Sequence, residues 1–176
     1  MAIDKTGAQS LSVGSEGNLL VMFAPYSVLT AGKGLKDITA TQLNSAAFVD
    51  VTLDLTAGAG WAEATSQETV SDDRLTATQS FSRGGKVSNT LTIEHVYGDA
   101  SVKADGLFVT GEKYIAAVRW ATDHDADITG TSEFDFWLLE AGAESRNAPA
   151  ANSVFTKTRP FYPLAEVLRD QTPATS

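Results

Sequence analysis

The chain has 176 residues, 43% of them hydrophobic and 20% charged, with no cysteine and a formal net charge of −9 from 22 acidic and 13 basic side chains. That is enough for one domain with a substantial core and too little for two comfortable ones, and it is far from a disordered composition. The missing cysteines exclude disulfides, thiolate nucleophiles and Cys-based zinc sites, and the acidic balance argues against tight nucleic-acid binding, whose affinity comes largely from phosphate neutralisation.

Residues 1–18 read as a loose, polar N-terminal arm, without the basic start and apolar run of a secretion signal. The longest apolar run, Leu19 to Pro25, falls well short of the roughly 20 residues of a membrane span and reads as a first strand ended by proline. Thr39-Ala40-Thr41-Gln42 has capping-box spacing, which predicts a short helical turn over 39–46. Alternation from Val49 to Leu55 predicts a half-buried strand. A strand near 74–82 follows, and Arg83-Gly84-Gly85-Lys86 predicts a hairpin turn. The return strand, Ser88 to Tyr97, places Leu91, Ile93, His95 and Tyr97 on one face. A short helix is expected at 99–105, broken at Gly106. Lys113–Thr122 and Ser132–Ala141 read as two strands joined by an acidic turn. From Arg146 onward the chain reads as extended, with Pro149, Pro160 and Pro163 limiting it to edge or arm roles.

These elements predict a mainly β fold, a single-domain sandwich or barrel with one or two short helices and extended terminal arms. The divisions are an arm at 1–18, a core at 19–145 and an extended C-terminal segment at 146–176. Chemistry is sparse. Asp123, Asp125 and Asp127 have the alternate spacing that opens a calcium loop, but Ile128 stands where that loop needs glycine and Phe134 where it needs glutamate. The segment therefore reads as a solvated hairpin turn. His95 and His124 are the two histidines, and no Gly-x-Ser-x-Gly turn accompanies them. His95, on an apolar face, reads as a satisfied core or interface imidazole. No catalytic, metal or cofactor site is expected.

Charge is uneven along the chain. Seven acidic residues and no basic one lie between Trp120 and Ser145, while four basic residues face Glu166 alone from Arg146 to Arg169. Such asymmetry can set register between neighbouring subunits when an arm points away from its own domain; the equal alternative is charge scattered on a solvated surface. The segment from Asn152 to Leu164 carries large apolar groups suited to pairing with a sheet edge. Phe155, Lys157, Arg159, Phe161 and Tyr162, together with Asp123, Asp125 and Asp127, are the candidate subunit-interface residues. Truncation after Asn152 is then expected to leave a folded domain and abolish long assemblies.

Three stretches carry a resemblance to a known family: Asp37 to Ala46, Gly111 to Trp120 with the acidic turn behind it, and Val154 to Tyr162. In order and spacing they resemble the major tail tube proteins of long-tailed bacteriophages, especially those infecting Actinobacteria, with Gln42 where glutamate is usual. The resemblance implies a β-sandwich or barrel flanked by a helix, in subunits that form hexameric rings stacked into a hollow tube. It implies as partners other copies of the chain, a tape-measure protein, tail tip and terminator proteins, and DNA in passage through an acidic lumen. The alternative is a non-catalytic β-sandwich module that decorates a capsid or completes a head; a small hydrolase is a second rival.

Overall fold

The computed structural model describes residues 12–72 and 81–175. These form nine antiparallel strands and two short helices. The strands are β1 (Leu19–Pro25), β2 (Val49–Asp50), β3 (Ala62–Asp72), β4 (Phe81–Val96), β5 (Lys113–Trp120), β6 (Phe134–Ala141), β7 (Ser145–Arg146), β8 (Thr156–Pro163) and β9 (Leu168–Gln171). The helices are α1 (Ala40–Leu43) and α2 (Lys103–Leu107). Sheet order is β2-β1-β5-β6-β8-β4-β3, with β7 beside β8 and β9 beside β6.

The sheet curls on itself. Phe23 of β1 and Phe161 of β8 lie three strands apart in the sheet order, yet their ring centroids are 5.6 Å apart. The chain after β2 then stitches to β4: Thr56 N donates to Glu94 O (3.1 Å) and Glu94 N to Ala59 O (3.2 Å). The enclosed core holds Val21, Phe23, Leu91, Ile93, Phe108, Tyr114, Trp137, Leu139 and Phe161. A second apolar layer covers the outer face of β1, β5 and β6, where Leu20, Met22, Ile115, Phe134 and Phe136 meet Ile38, Leu43 and Phe48. Burial on both faces explains why β1 is a continuous apolar run, whereas β4 alternates.

The capping box forms as expected. Thr39 Oγ1 accepts from Gln42 N (3.2 Å) and Gln42 Oε1 accepts from Thr39 N (2.9 Å), although the helix stops at Leu43. Four other expectations need correction. Alternation at 49–55 yields only the two-residue β2 and a 3-10 turn at Thr52–Asp54. Asp50 Oδ1 takes both the Thr52 N–H and hydroxyl (2.9 and 2.7 Å), and Thr52 Oγ1 takes Val21 N–H (2.8 Å), so side chains replace the ladder. Gly84 and Gly85 do not turn the chain: they lie inside β4, at a register shift opposite Gln67–Thr69. A Cβ on Gly84 would meet only the movable end of the Gln67 side chain, whereas one on Gly85 would stand 3.1 Å from the Glu68 backbone oxygen, so the close strand approach is at Gly85. The strand expected at 74–82 falls mostly outside the described residues. The helix expected at 99–105 lies at Lys103–Leu107 and includes Gly106.

The fourth correction matters most. Thr156–Pro163 is neither edge nor arm, because β8 pairs with β4 on one side and with β6 and β7 on the other. Pro160 is tolerated because it sits where β6 gives way to β7, with Gly142 N donating to its carbonyl oxygen (2.9 Å). Among the described residues no helix is long and apolar enough to cross a membrane.

Candidate assembly surface

The longest strands, β3 and β4, have 11 and 16 residues, and the core uses only the second half of β4. From Thr65↔Asn89 to Asp72↔Phe81 the pair is largely exposed. Seven residue steps at about 3.3 Å each make a ribbon that projects roughly 23 Å. Val70, Phe81 and Val87 on it are 44%, 61% and 51% exposed. A lone two-stranded ribbon is marginal in water, and exposed apolar side chains on a strand pair mark a surface made for contact.

Near the other end of β3 lies a groove of about 350 Å³ lined by Leu19, Leu53, Leu55, Trp61, Trp120 and His124 among others. Leu53 there is 86% exposed. The groove borders the acidic turn, whose organiser sequence reasoning missed. Arg119, buried at the end of β5, donates to the carbonyl oxygens of Asp123 (2.8 Å), His124 (3.1 Å) and Asp127 (3.5 Å), and its guanidinium stands 5.9 Å from the Phe134 ring centroid. Burial draws its pKa down from the usual arginine value. The positive centre inside this turn is an arginine, and the Asp123, Asp125 and Asp127 residues stay exposed around it. One signal was available: an arginine two residues beyond Ala117, at the end of a run, Tyr114–Val118, that is otherwise apolar.

His124 ties the turn to β2. Nδ1 lies 2.8 Å from Asp125 Oδ1 and Nε2 lies 2.9 Å from Asp50 Oδ2, while its backbone N–H reaches Gly17 O (2.8 Å). The Asp125 hydrogen bond, aided by Asp50 and opposed by partial burial, raises the imidazole pKa above its ordinary value. Burial pushes the Asp50 carboxyl up, but hydrogen bonds from Thr52 and His124 outweigh it and hold the pKa below the usual value.

The structure divides the expected C-terminal interface residues. Phe155 and Tyr162 are exposed at 58% and 56%. Phe161 is buried against Phe23 and Phe108. Lys157 and Arg159 are buried as well, and their charges are satisfied within the chain. Lys157 Nζ lies 2.5 Å from Asp105 and 3.3 Å from Glu144. Arg159 donates to Gly142 O (2.6 Å), Thr110 Oγ1 (3.0 Å), Phe108 O (3.2 Å) and Glu144 Oε2 (2.7 Å). Arg169 pairs with Glu63 and, at 3.0 Å, with Asp135. The charge asymmetry is thus largely resolved inside one subunit.

His95 is fully buried as expected, yet neither ring nitrogen has a hydrogen-bond partner. Burial lowers its pKa. His95, Asp105 and Glu144 offer ligand atoms within 4.8 Å of one another. The Lys157 ammonium already joins the two carboxylates, so the group fits an ion-pair cluster better than a metal.

A phage tail tube protein family model matches residues 8–175. Among solved structures, a chain of the six-fold symmetrised baseplate of the anti-feeding prophage superposes with a TM-score of 0.51 at 12% identity, covering 92% of this chain and 98% of that one. At that identity the likeness is one of fold. No curated protein matches in sequence. With nearly the whole length matched, and a curled sheet bearing a long exposed ribbon, the chain belongs to the phage tail tube protein family.

Proposed function

We propose that this protein is a structural virion subunit that assembles with copies of itself into stacked rings, six subunits to a ring, forming the tail tube through which the genome passes. The observation that carries the reading is the β3–β4 ribbon, which leaves the barrel with both faces exposed and needs a neighbour to cover it. The family match and the shared fold support it. The proposed partners are other copies of the chain, a tape-measure protein, and tail tip and terminator proteins. A net charge of −9 suits a conduit that repels phosphate and lets DNA slide. Of the expected interface residues, the exposed Phe155, Tyr162, Asp123, Asp125 and Asp127 are the ones proposed to touch a neighbour, while the buried Lys157, Arg159 and Phe161 support the fold. The reading includes no catalytic step and no cofactor.

Electron microscopy of the purified protein at rising concentration, beside light scattering, tests the proposal. Hollow tubes of uniform width are expected, formed spontaneously or after addition of a tail tip complex with its tape measure. Monomers or small closed oligomers that persist with those partners present would refute it and favour a decoration module.

A further inference from the structure

We infer that Lys157 and Asp105 condense into an isopeptide bond, an amide that joins Nζ of the lysine to Cγ of the aspartate and ties β8 covalently to α2. Among the described residues Lys157 is the one buried lysine, its side chain 10% exposed against 61% for the ion-paired Lys33. Its Nζ lies 2.5 Å from Asp105 Oδ1 and 3.3 Å from Glu144 Oε1, so a nucleophile, the carbon it would attack and a second carboxylate meet in one place. Each partner is held. Burial alternates along β8 and turns Lys157 inward, where its ammonium lies over the Tyr97 ring at 4.8 Å. Ala104, next to Asp105, is fully buried and donates its N–H to Asp54 Oδ2 (2.9 Å). Arg159 fixes Glu144 through Oε2 (2.7 Å) and leaves Oε1 to the ammonium. Well-oriented groups within one molecule reach effective molarities of about 10⁵–10⁸ M, enough to join a pair that stays apart when free in water.

The ion pair is the reactant state, because the Asp105 hydrogen bond raises the Lys157 pKa above its ordinary value. Condensation is therefore slow and happens once per chain. One ammonium proton passes along the short hydrogen bond to Asp105 Oδ1, leaving a neutral amine beside a neutral carboxyl group. The amine lone pair attacks Cγ, and the Glu144 carboxylate takes a second proton from Nζ as the new C–N bond forms. Glu144 then returns that proton to the Oδ1 hydroxyl, the Cγ–Oδ1 bond breaks and water leaves; the carboxylate oxygens lie close enough for this relay. His95 Nε2, 3.8 Å from Asp105 Oδ1 and without a hydrogen-bond partner, offers the departing oxygen a spare polar contact. Glu144 ends as the carboxylate it began as, which makes it the catalytic residue of the step. One positive and one negative charge vanish together, and their desolvation with them.

Mass spectrometry of the purified full chain, kept folded near neutral pH and then denatured, tests the bond. The mass is expected to fall below that of the sequence by one water, about 18 Da. Asp105 precedes Gly106, and a succinimide there would lose the same water, so two further readings separate them. Trypsin should yield a branched peptide joining the segments around 105 and 157, uncut after Lys157, and the mass deficit should survive hydroxylamine, which opens succinimides. Glu144→Gln keeps both reacting groups and should slow the loss by roughly a hundredfold or more; Lys157→Arg should abolish it. Both variants are checked for folding by circular dichroism, and the wild-type readings decide the matter even if neither folds. A folded wild-type chain that retains its full mass, or whose deficit hydroxylamine reverses, overturns the proposal. Neither outcome touches the tube reading, which rests on other residues and is tested by microscopy.

Discussion

Phe161→Ala is expected to destabilise the subunit severely, although the residue lies near the C-terminus in a segment that reads as an arm. Its ring is 1% exposed, with centroids 5.6 Å from Phe23 and 5.1 Å from Phe108, edge-on to the latter. Truncating a buried phenylalanine costs about 3–5 kcal/mol through lost transfer energy and the remaining cavity, against a total stability of roughly 5–15 kcal/mol for a domain. With a urea m-value of about 2.5 kcal/mol per molar, the unfolding midpoint should fall by roughly 1–2 M. Truncation after Asn152 goes further, because it removes β8 and β9, opens the facing edges of β4 and β6, and leaves Asp105 and Glu144 without Lys157 and Arg159. The truncated chain is expected to lose cooperative unfolding altogether, contrary to the expectation from sequence of a folded remnant. Near-UV circular dichroism and urea titration monitored by tryptophan fluorescence read both variants. A midpoint within about 0.3 M of wild type for Phe161→Ala, a change of under 1 kcal/mol, would refute the placement of β8 in the core, as would a cooperatively folding truncation.

Arg119→Met keeps the aliphatic stem but strands the carbonyl groups of Asp123, His124 and Asp127; hydrogen exchange at 123–127 should accelerate at least tenfold, and unchanged protection would show that the turn holds itself. The two histidines should give opposite pH slopes. The His124 pKa is raised in the fold, so its contribution is fully present below about 6.5 and is lost as pH rises through the higher folded value. The His95 pKa is lowered, so its neutral form stabilises the fold above about 6.5 and that contribution is lost as pH falls toward the folded value. Unfolding free energy measured from pH 5 to 8 should therefore gain acid-side stability in His95→Phe and lose it in His124→Gln; identical profiles for the two variants would overturn both assignments.

Much of the fold was legible because local signals and tertiary context agreed. The apolar run of β1, the alternation in the second half of β4, and the β5 and β6 segments either side of an acidic turn all match their strands within a few residues. The Thr39–Gln42 capping box is a purely local device and formed as read. Misreadings came where a local signal had two physical meanings. Paired glycines serve a tight turn or a close strand approach, and only the pairing of Gly84 with Thr69 across the ladder, with the Glu68 backbone oxygen close to Gly85, distinguishes them. Alternation at 49–55 was overridden by Asp50 and Thr52, whose side chains compete with the backbone ladder. Of the assembly surface, the acidic turn was legible and the ribbon and groove were not, since both depend on which residues the sheet leaves uncovered.

The C-terminal segment shows why charge and proline mislead in a chain of this kind. Prolines at 160 and 163 argue for an edge, yet β8 lies inside the sheet because the ladder beside it changes partner from β6 to β7 near Pro160. The basic residues argue for an outward arm, yet Lys157 and Arg159 alternate with partly exposed Thr158 and Pro160 and point inward, toward Asp105 and Glu144. Burial pushes the Glu144 carboxyl up, and hydrogen bonds from Lys157 and Arg159 outweigh that and hold its pKa below the usual value. This inner cluster fastens the α2 loop and the β6–β7 connection to β8, so a strand near the end of the chain locks elements that precede it in sequence. A subunit closed by its own C-terminal strand has little unpaired sheet to offer there. The long exposed edge is instead that of β3, at the end of the sheet order, while exposed apolar side chains lie both on the β3–β4 ribbon and at Val154, Phe155, Tyr162 and Leu164, and contacts between copies are expected at both.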